Sequence, residues 1–218
     1  MTTIELPVSI LEYGSTYLRL AIYDRSMLQK RFFFEKKIDF TRKENVSEDQ
    51  LISEIITDAE KKLGQHLNDI LLMFDSSTIF STDLSIQKNF EKKIVTNQDI
   101  NYLINDCENK LKSNNKEKDI IHIIKSNVML DNEYVDDLEN YKKESSKAIV
   151  NLKFILVDKK VYDSIKKLFL KKHIILESVF CTSYIKSLGL INKLNISGYS
   201  SFIDIGLKKS SITIFRDN

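Results

Sequence analysis

Hydrophobic and polar residues alternate after Pro7 in short runs that are typical of β-strands. The three runs are VSILEYG, YLRLAIYD and QKRFFFEKKIDF. The turn residues Gly14-Ser15-Thr16 and Arg25-Ser26 separate them, and such short turns join neighbouring strands. We therefore expect three consecutive antiparallel strands. For Phe32-Phe33-Phe34 in the third run we expect a strand that feeds a core on both faces, rather than an exposed aromatic anchor.

The pattern then changes from strand to helix. A helix is predicted to open at Val46-Ser47-Glu48-Asp49, and Gly64 fits its C-terminal cap. Its apolar residues recur at helical spacing: Leu51, Ile52, Ile55, Ile56, Ala59 and Leu63. The continuous apolar run DILLMF at 69–74 follows at once and indicates a strand that is buried on both faces.

A more polar stretch from Thr78 to about Lys172 has its own strands and helices. The strand candidates are IFSTDLSI, DIIHIIKSNVML and SKAIVNLKFILVD. One helix starts with the T-x-x-D capping box at residues 96–99 and is expected to bury Ile100, Leu103, Ile104, Cys107 and Leu111. A second helix, from Lys159 to Leu170, places Val161, Ile165, Leu168 and Phe169 on one face. Together these segments predict an α+β unit that folds on its own.

The last part of the chain returns to the style of the first. It contains the strand HIILES, the helix VFCTSYIKSLGLI and the hairpin SSFIDIG-LKKS-SITIFR. A domain inserted into a loop of another domain produces this order, because the host resumes after the guest. We therefore predict an α/β fold with a discontinuous host domain at 1–76 and 173–218 and an inserted domain at 77–172.

Composition excludes several classes of protein. Hydrophobic residues make up 42% of the 218 positions, and 33 basic side chains against 31 acidic ones give a net charge of +2. That balance argues against nucleic acid as a main partner. Cys107 and Cys181 lack metal-ligand spacing, which argues against a zinc site or a disulfide scaffold. No signal peptide or long apolar run is present, so we expect a cytoplasmic chain that does not span a membrane.

Two strand ends carry a carboxylate followed by a glycine turn. The first is Glu12, with Gly14, Ser15 and Thr16 after it, and the second is the pair Asp204 and Gly206. Such turns can direct N–H groups and hydroxyls at a phosphate while the carboxylate holds the water shell of Mg²⁺. Taken alone, each is more simply an ordinary hairpin turn. Two of them about 190 residues apart are what a phosphate clamp needs.

The sequence resembles the actin-like ATPases, and among them the bacterial cell-division protein FtsA. LEYGSTYLRLAIYD is similar to the first phosphate loop of that family, and FIDIGLKKSSITIF to the second. HIILESVFCTSYIKSLGL is similar to the segment between them, and the inserted unit falls where FtsA carries its own inserted domain. The resemblance implies an actin-like (ribonuclease-H-like) lobe with an inserted α+β domain. It also implies ATP and Mg²⁺ as cofactors, bound through Glu12, Gly14, Ser15, Thr16, Asp204 and Gly206.

Three departures from the family pattern weaken that cofactor expectation. The second loop reads Asp204-Ile205-Gly206-Leu207-Lys208-Lys209 instead of Asp-x-Gly-Gly-Gly-Thr, so side chains are expected to obstruct the phosphate. Tyr17 stands where relatives often keep a lysine. The sequence stops at Asn218, before the family's second lobe. We therefore expect weak ATP binding or none, and we assign no catalytic residue and no metal ligand.

The resemblance implies a divisome adaptor that acts through protein contacts. Its expected partners are other copies of itself and downstream division proteins, at the inner face of the membrane at the division site. Binding to FtsZ and a direct membrane anchor are not expected without the second lobe. The alternatives are a fragment of a nucleotide-dependent actin-like ATPase or sugar-kinase-like enzyme, and a purely structural interaction module.

Four other residues have weaker signals. Glu177 is predicted at a strand-to-helix corner, where an acid that stabilises the helix N-terminus is the simpler interpretation than a water-orienting group. His66, His122 and His173 have no metal-ligand neighbours in the sequence and are expected to be structural or exposed.

Overall fold

The computed structural model describes residues 7–26, 29–38, 47–207 and 209–216. The chain divides into two compact units. The first unit comprises Met1–Ser77 and Val161–Asp217, and the second comprises Thr78–Lys160. Most of the helix that the sequence placed at the end of the insert therefore groups with the first unit, so the second unit ends before the predicted boundary at residue 172.

Eleven strands and four helices are present in the described residues. The strands are β1 (Val8–Tyr13), β2 (Tyr17–Tyr23), β3 (Lys30–Lys37), β4 (Asp69–Phe74), β5 (Phe80–Ile94), β6 (Lys118–Leu130), β7 (Glu133–Tyr134), β8 (Glu144–Asp158), β9 (Ile175–Cys181), β10 (Ser200–Ile205) and β11 (Ser210–Phe215). The helices are α1 (Glu48–Leu63), α2 (Asn97–Asn114), α3 (Lys159–Leu170) and α4 (Thr182–Leu194). Within the described part of the chain, none of these helices is long and apolar enough to cross a membrane.

The first unit is built on a five-stranded sheet in the order β3-β2-β1-β4-β9. β1, β2 and β3 are antiparallel neighbours, which confirms the prediction from the first three runs. β4 is parallel to both β1 and β9. The carboxyl ends of these three strands therefore meet at one edge of the sheet, which is where α/β proteins generally bind ligands.

The core of the first unit lies between this sheet and the helix α1, which packs on β2 and β3. The central side chains are almost fully buried: Leu11, Leu18, Leu20, Ile22, Ile52, Ile55, Ile70 and Leu72. Along β4 buried residues alternate with half-buried ones, so the strand is covered on both faces but more completely on one. Apolar burial of this kind is the main favourable term in folding.

Local capping fixes both ends of α1. The Ser47 hydroxyl accepts a hydrogen bond from the Gln50 N–H at 3.2 Å, which satisfies one of the free donors of the first turn. At the other end Gly64 adopts a φ of 72°, and its N–H donates to the Glu60 carbonyl at 2.8 Å. A left-handed residue here favours glycine, so the predicted C-cap is confirmed.

The second unit is an antiparallel sheet in the order β5-β8-β6-β7, with α2 packed against it. The predicted capping box is present, because Thr96 and Asp99 each accept from the backbone N–H of the other. Of the predicted face of α2, Ile100, Leu103, Cys107 and Leu111 are buried and Ile104 is partly buried. β5 forms an edge of this sheet.

Two predicted helices differ from what the sequence suggested. α4 begins at Thr182, because Val179, Phe180 and Cys181 continue β9 and pair with β4. On α3 Phe169 alone of the predicted face is fully buried. Pairing with a neighbouring strand therefore outweighed the helical spacing at the start of α4.

The aromatic triplet in β3 also differs. β3 is an edge strand, and Phe33 is 50% exposed with the Lys30 ammonium 5.3 Å from its ring centre. Phe32 and Phe34 are half-buried and lie on the other face. The expectation that the triplet feeds a core on both faces is therefore wrong, because one face of this edge strand is open.

β10 and β11 pair as a separate two-stranded sheet, as the hairpin prediction expected. On one face the Phe215 ring lies 5.9 Å from Phe202 and 6.2 Å from Tyr184 of α4. On the other face four isoleucines are between 65% and 82% exposed: Ile203, Ile205, Ile212 and Ile214. The hairpin thus packs on α4 by its aromatic face and leaves its aliphatic face open.

Candidate functional site

The two glycine turns are built in the same way. The Gly14 N–H donates to the Tyr17 carbonyl at 3.1 Å, and the Gly206 N–H donates to the Lys209 carbonyl at 2.9 Å. The turns also lie close together, since a Cβ atom on Gly206 would be 3.7 Å from the Ser15 hydroxyl oxygen. The structure therefore brings the two sequence-predicted loops to one place.

A cavity of about 390 Å³ lies between these turns. All six predicted residues line it: Glu12, Gly14, Ser15, Thr16, Asp204 and Gly206. The cavity sits at the carboxyl ends of β1 and β4 and at the start of α4. Its lining also includes Lys209 of the second loop, and Arg19, Asp75 and Lys186, which the sequence analysis missed.

Two cations hold the Glu12 carboxylate. Arg19 Nη1 lies 3.3 Å from Glu12 Oε2, and Lys186 of α4 forms an ion pair with Oε1. Arg19 also binds Glu35 at 2.6 Å, and this hydrogen bond is the main cause that raises the pKa of Arg19. The Glu12 side chain is only 16% exposed. Because Arg19 and Lys186 both contact its carboxylate, these two cations already offset its negative charge.

Asp75 follows β4 directly and ties it to α4. Its carboxylate accepts from the Ser183 N–H at 3.0 Å and from the Cys181 thiol at 3.2 Å. Lys209 Nζ approaches the same carboxylate at 3.8 Å. An acid at a helix N-terminus satisfies free N–H groups and the helix dipole, so Asp75 has a structural task here. Burial, followed by the Asp75 charge, raises the pKa of the Cys181 thiol.

Asp204 is the counterpart of Glu12 in the second loop and differs from it. It is half-buried and forms no ion pair with any residue that the structure describes. Leu207, which was expected to obstruct this loop, is 67% exposed and does not line the cavity. Lys208, the other residue in that prediction, lies outside the described residues. The prediction that the Leu207 side chain obstructs the phosphate site is therefore wrong.

Two further polar groups border the cavity. Burial, followed by a hydrogen bond with Glu48, raises the pKa of Tyr13. With this raised pKa, Tyr13 stays protonated at any physiological pH and can donate to Glu48. The Thr182 hydroxyl at the start of α4 is buried and has no hydrogen-bond partner in the described part of the molecule.

This arrangement does not fit Mg²⁺-ATP well. Mg²⁺ is bound through oxygen ligands and ordered water, yet both oxygens of Glu12 already contact cations. The N–H groups of Gly14 and Gly206, which would face a phosphate, are used to close their own turns. In the residues described, no group of three or more His, Cys, Asp or Glu side chains could hold a metal ion.

The remaining residues of the sequence analysis lie elsewhere. Glu177 is exposed in the middle of β9, so its predicted corner position is wrong. His66 Nδ1 lies 2.5 Å from Glu60, and His173 occupies a turn with a φ of 59°. His122 is half-buried in β6, where burial lowers its pKa.

Some of the missed residues had a sequence signal. Arg19 pairs directly with Glu12 across the β1–β2 hairpin, so the register of the predicted turn places them together. Asp75 is a carboxylate at the end of a buried parallel strand, a position that often lines a site. Lys186 had no such signal, because it is separated from Glu12 by 174 positions.

No model of a known protein family and no curated protein matches the sequence. Among solved structures, a chain of the PilM-PilN type IV pilus biogenesis complex has a TM-score of 0.66 and 10% identity. The match covers 97% of this chain and 58% of that one, so this chain spans less than two thirds of its neighbour.

Two further structures have lower scores. A Bacteroides thetaiotaomicron protein with an actin-like ATPase fold has a TM-score of 0.43 and 12% identity, over 96% of this chain and 65% of that one. The cytoplasmic domain of EpsL, an inner-membrane component of the Vibrio cholerae type II secretion system, has a TM-score of 0.41 and 8% identity. That match covers 95% of this chain and 71% of the EpsL chain.

The predicted α/β fold is confirmed by the sheet order, and the fold is similar to that of the pilus-complex chain. At this level of identity the likeness concerns the fold alone. The comparisons do not single out FtsA within the actin-like proteins.

Proposed function

We propose that this chain is a protein-binding adaptor of a larger assembly and not a nucleotide-hydrolysing enzyme. The observation that carries the proposal is the pairing of Glu12 with both Arg19 and Lys186. Phosphoryl transfer requires a metal ion and a precisely held phosphate chain. A carboxylate that is already neutralised by the protein's own cations is a poor holder of that metal.

The open face of the β10–β11 hairpin supports a role in protein binding. Its exposed isoleucines form a contiguous aliphatic surface on neighbouring, paired strands, with Ile203 directly opposite Ile212. Exposed apolar surfaces of this kind usually mark an interaction site. The partner surface that fits is an amphipathic helix with branched aliphatic residues, such as α1 presents to β2 in this same unit.

The kind of assembly is inferred from the solved neighbour and from the sequence resemblance. The PilM-PilN complex belongs to type IV pilus biogenesis, which favours an adaptor in a pilus-type assembly. The resemblance to FtsA favours the divisome, with self-association and downstream division proteins as partners at the inner face of the membrane. We give preference to the pilus-type assembly, because the likeness of fold to the pilus complex extends over 97% of this chain.

Calorimetric titration with Mg²⁺-ATP tests the first half of the proposal. We expect no binding tighter than about 1 mM, and no release of phosphate above the rate without protein. The variant Asp204→Asn serves as the control, since its result should equal that of the wild type. A micromolar dissociation constant that Asp204→Asn weakens would overturn the proposal in favour of an ATP-binding enzyme.

Binding to purified candidate partners tests the second half. The candidates are cytoplasmic segments of pilus inner-membrane proteins and division proteins, including FtsZ, from the same cell. We expect one pilus-type segment to bind and Ile203→Ser/Ile212→Ser to abolish binding without lowering the melting temperature. Ser81→Ala, an exposed substitution in the second unit, is the matched control. Binding of division proteins alone would replace the pilus-type proposal with the divisome one.

A further inference from the structure

The segments that follow α1 and α3 meet at the edge of the sheet opposite the candidate site. The Ile175 N–H donates to the Asn68 carbonyl at 2.9 Å, and Ile175 pairs with Asp69 at the amino ends of β9 and β4. His66, just after α1, lies 3.4 Å from the carbonyl of His173, just after α3. The cavity between the glycine turns is at the carboxyl ends of the same strands.

We call this region the basic end and define it by eight exposed residues. They are Lys61, Lys62, His66, Lys167, Leu170, Lys171, His173 and Ile175. Its four lysines form no ion pair with any residue in the described part of the chain. Leu170 is 53% exposed and Ile175 is 62% exposed, so two large aliphatic side chains lie among these lysines.

Two carboxylates near the basic end are already bound by cations outside it. Asp49 pairs with Lys172, and Asp58 pairs with Lys36 at 2.8 Å. Glu60 instead pairs with His66 Nδ1, which belongs to the basic end itself. Asp69, which pairs with Ile175 in the sheet, adds a negative charge here, and the four exposed lysines still outnumber Glu60 and Asp69.

A simpler explanation accounts for only part of this surface. Lys61, Lys62 and Lys167 lie in the last turns of their helices, where cations offset the negative end of the helix dipole. That effect explains neither Lys171, which follows the helix, nor the exposure of Leu170 and Ile175. Exposed aliphatic side chains surrounded by lysines are typical of surfaces that bind anionic lipid.

We propose that the basic end binds the surface of an anionic phospholipid bilayer. The lysine ammonium groups would contact lipid phosphates, and Leu170 and Ile175 would enter the headgroup region. The candidate cavity would then face away from the bilayer, toward the interior of the assembly. This inference goes beyond the adaptor function and does not depend on it, since it rests on a different surface.

Co-sedimentation of the whole chain with lipid vesicles tests the proposal. One set of vesicles contains phosphatidylcholine alone, and in the other about one third of the lipid is phosphatidylglycerol. We expect binding to the anionic vesicles only, and weaker binding as salt is raised. Lys167→Glu/Lys171→Glu should reduce binding by at least about twentyfold, since each lysine near an anionic bilayer strengthens binding about fivefold.

Further variants separate charge from insertion and from misfolding. Leu170→Ser/Ile175→Ser should weaken binding about tenfold and leave its salt dependence unchanged. Lys167→Gln/Lys171→Gln should also lose binding to anionic vesicles. It replaces the glutamate variant in this test if that variant is unstable in a thermal melt. The matched control is Lys110→Glu/Lys112→Glu on α2, two exposed lysines that are ion-paired with Asp106 and Glu108.

Three results would overturn the proposal. They are equal binding to neutral and anionic vesicles, wild-type binding by the Lys167 and Lys171 variants, and equal loss of binding in the α2 control. A short DNA duplex that competes fully with anionic vesicles at equal phosphate concentration would indicate a general polyanion site and would also reject the lipid assignment.

Discussion

The β1–β2 and β10–β11 hairpins have the same register but opposite surroundings. Their glycine turns are 192 positions apart (206 − 14), and the same offset relates their strands. The three matched aliphatic pairs are Leu11 and Ile203, Leu20 and Ile212, and Ile22 and Ile214. Each member in the first hairpin is 0% exposed, whereas its counterpart is 65% to 71% exposed. The pattern of residues therefore specifies the hairpin, and the packing of α1 decides which of the two becomes core.

The carboxylates of the two hairpins also differ in their surroundings, since only the one in the first hairpin faces a cation across the strand pair. Glu12 faces Arg19 across the first hairpin, while the matched Asp204 faces Ser211 across the second. The first loop is thus fixed by ion pairs within the unit, whereas Asp204 of the second loop lines the cavity without an ion pair to any residue that the structure describes. The turn at Gly14 is therefore held by the surrounding structure, whereas the similar turn at Gly206 forms an open edge of the cavity.

The largest expected difference concerns the matched aliphatic pair Leu20 and Ile212. Leu20→Ala should lower the free energy of unfolding by about 2–5 kcal/mol, because it leaves a cavity in a closed core. Ile212→Ala should lower it by less than about 0.5 kcal/mol, since that side chain is already in water. Urea denaturation of the two variants measures both values. Equal losses would mean that the second hairpin is covered in solution.

Replacing either glycine of the two turns by alanine is expected to have a smaller effect, confined to amide exchange in its own hairpin. A Cβ atom on Gly206 would lie 2.7 Å from the Lys209 carbonyl oxygen, whereas one on Gly14 would lie 3.0 Å from the Tyr17 carbonyl oxygen. Gly206→Ala should therefore speed amide exchange in β10 and β11 by about tenfold, with Gly14→Ala changing its own hairpin less. Hydrogen exchange read by NMR resolves the two hairpins separately. A larger effect at Gly14 would contradict the predicted order.

The smallest difference concerns the two carboxylates. Glu12→Gln should destabilise the protein by about 1 kcal/mol, because Arg19 and Lys186 lose a partner but remain partly exposed to water. Asp204→Asn should change stability by less than about 0.5 kcal/mol. Thermal melts of both variants at low and high salt test this, since salt should narrow the difference. A greater loss for Asp204→Asn would show that its charge is paired.

Local signals predicted much of this fold. The opening of α1 within residues 46–49, the capping box at Thr96 and the C-cap at Gly64 each depend on a few adjacent residues, and each was found where the sequence placed it. The hairpin turns at Gly14 and Gly206 belong to the same class. Side chains and backbone within one turn determine these features, so no knowledge of the tertiary structure is needed.

Features that depend on distant parts of the chain were missed. The start of α4 was misplaced because Cys181 pairs with Phe74 of β4, and the sequence shows only the local helical spacing. The ion pair between Glu12 and Lys186 joins residues far apart in the chain, so the closing of the candidate site could not be predicted. The exposure of Phe33 depends on β3 being the last strand of its sheet.

The burial of both cysteines has a practical consequence. Cys107 and Cys181 are the sole thiols of the chain, and each is less than one tenth exposed. Burial is the first cause that raises the pKa of each, so little reactive thiolate is present at neutral pH. A cysteine introduced at the exposed Ser201 would therefore react with maleimide far faster than either native thiol. The natural sequence thus already serves as the background for attaching a single fluorophore or spin label to the open hairpin.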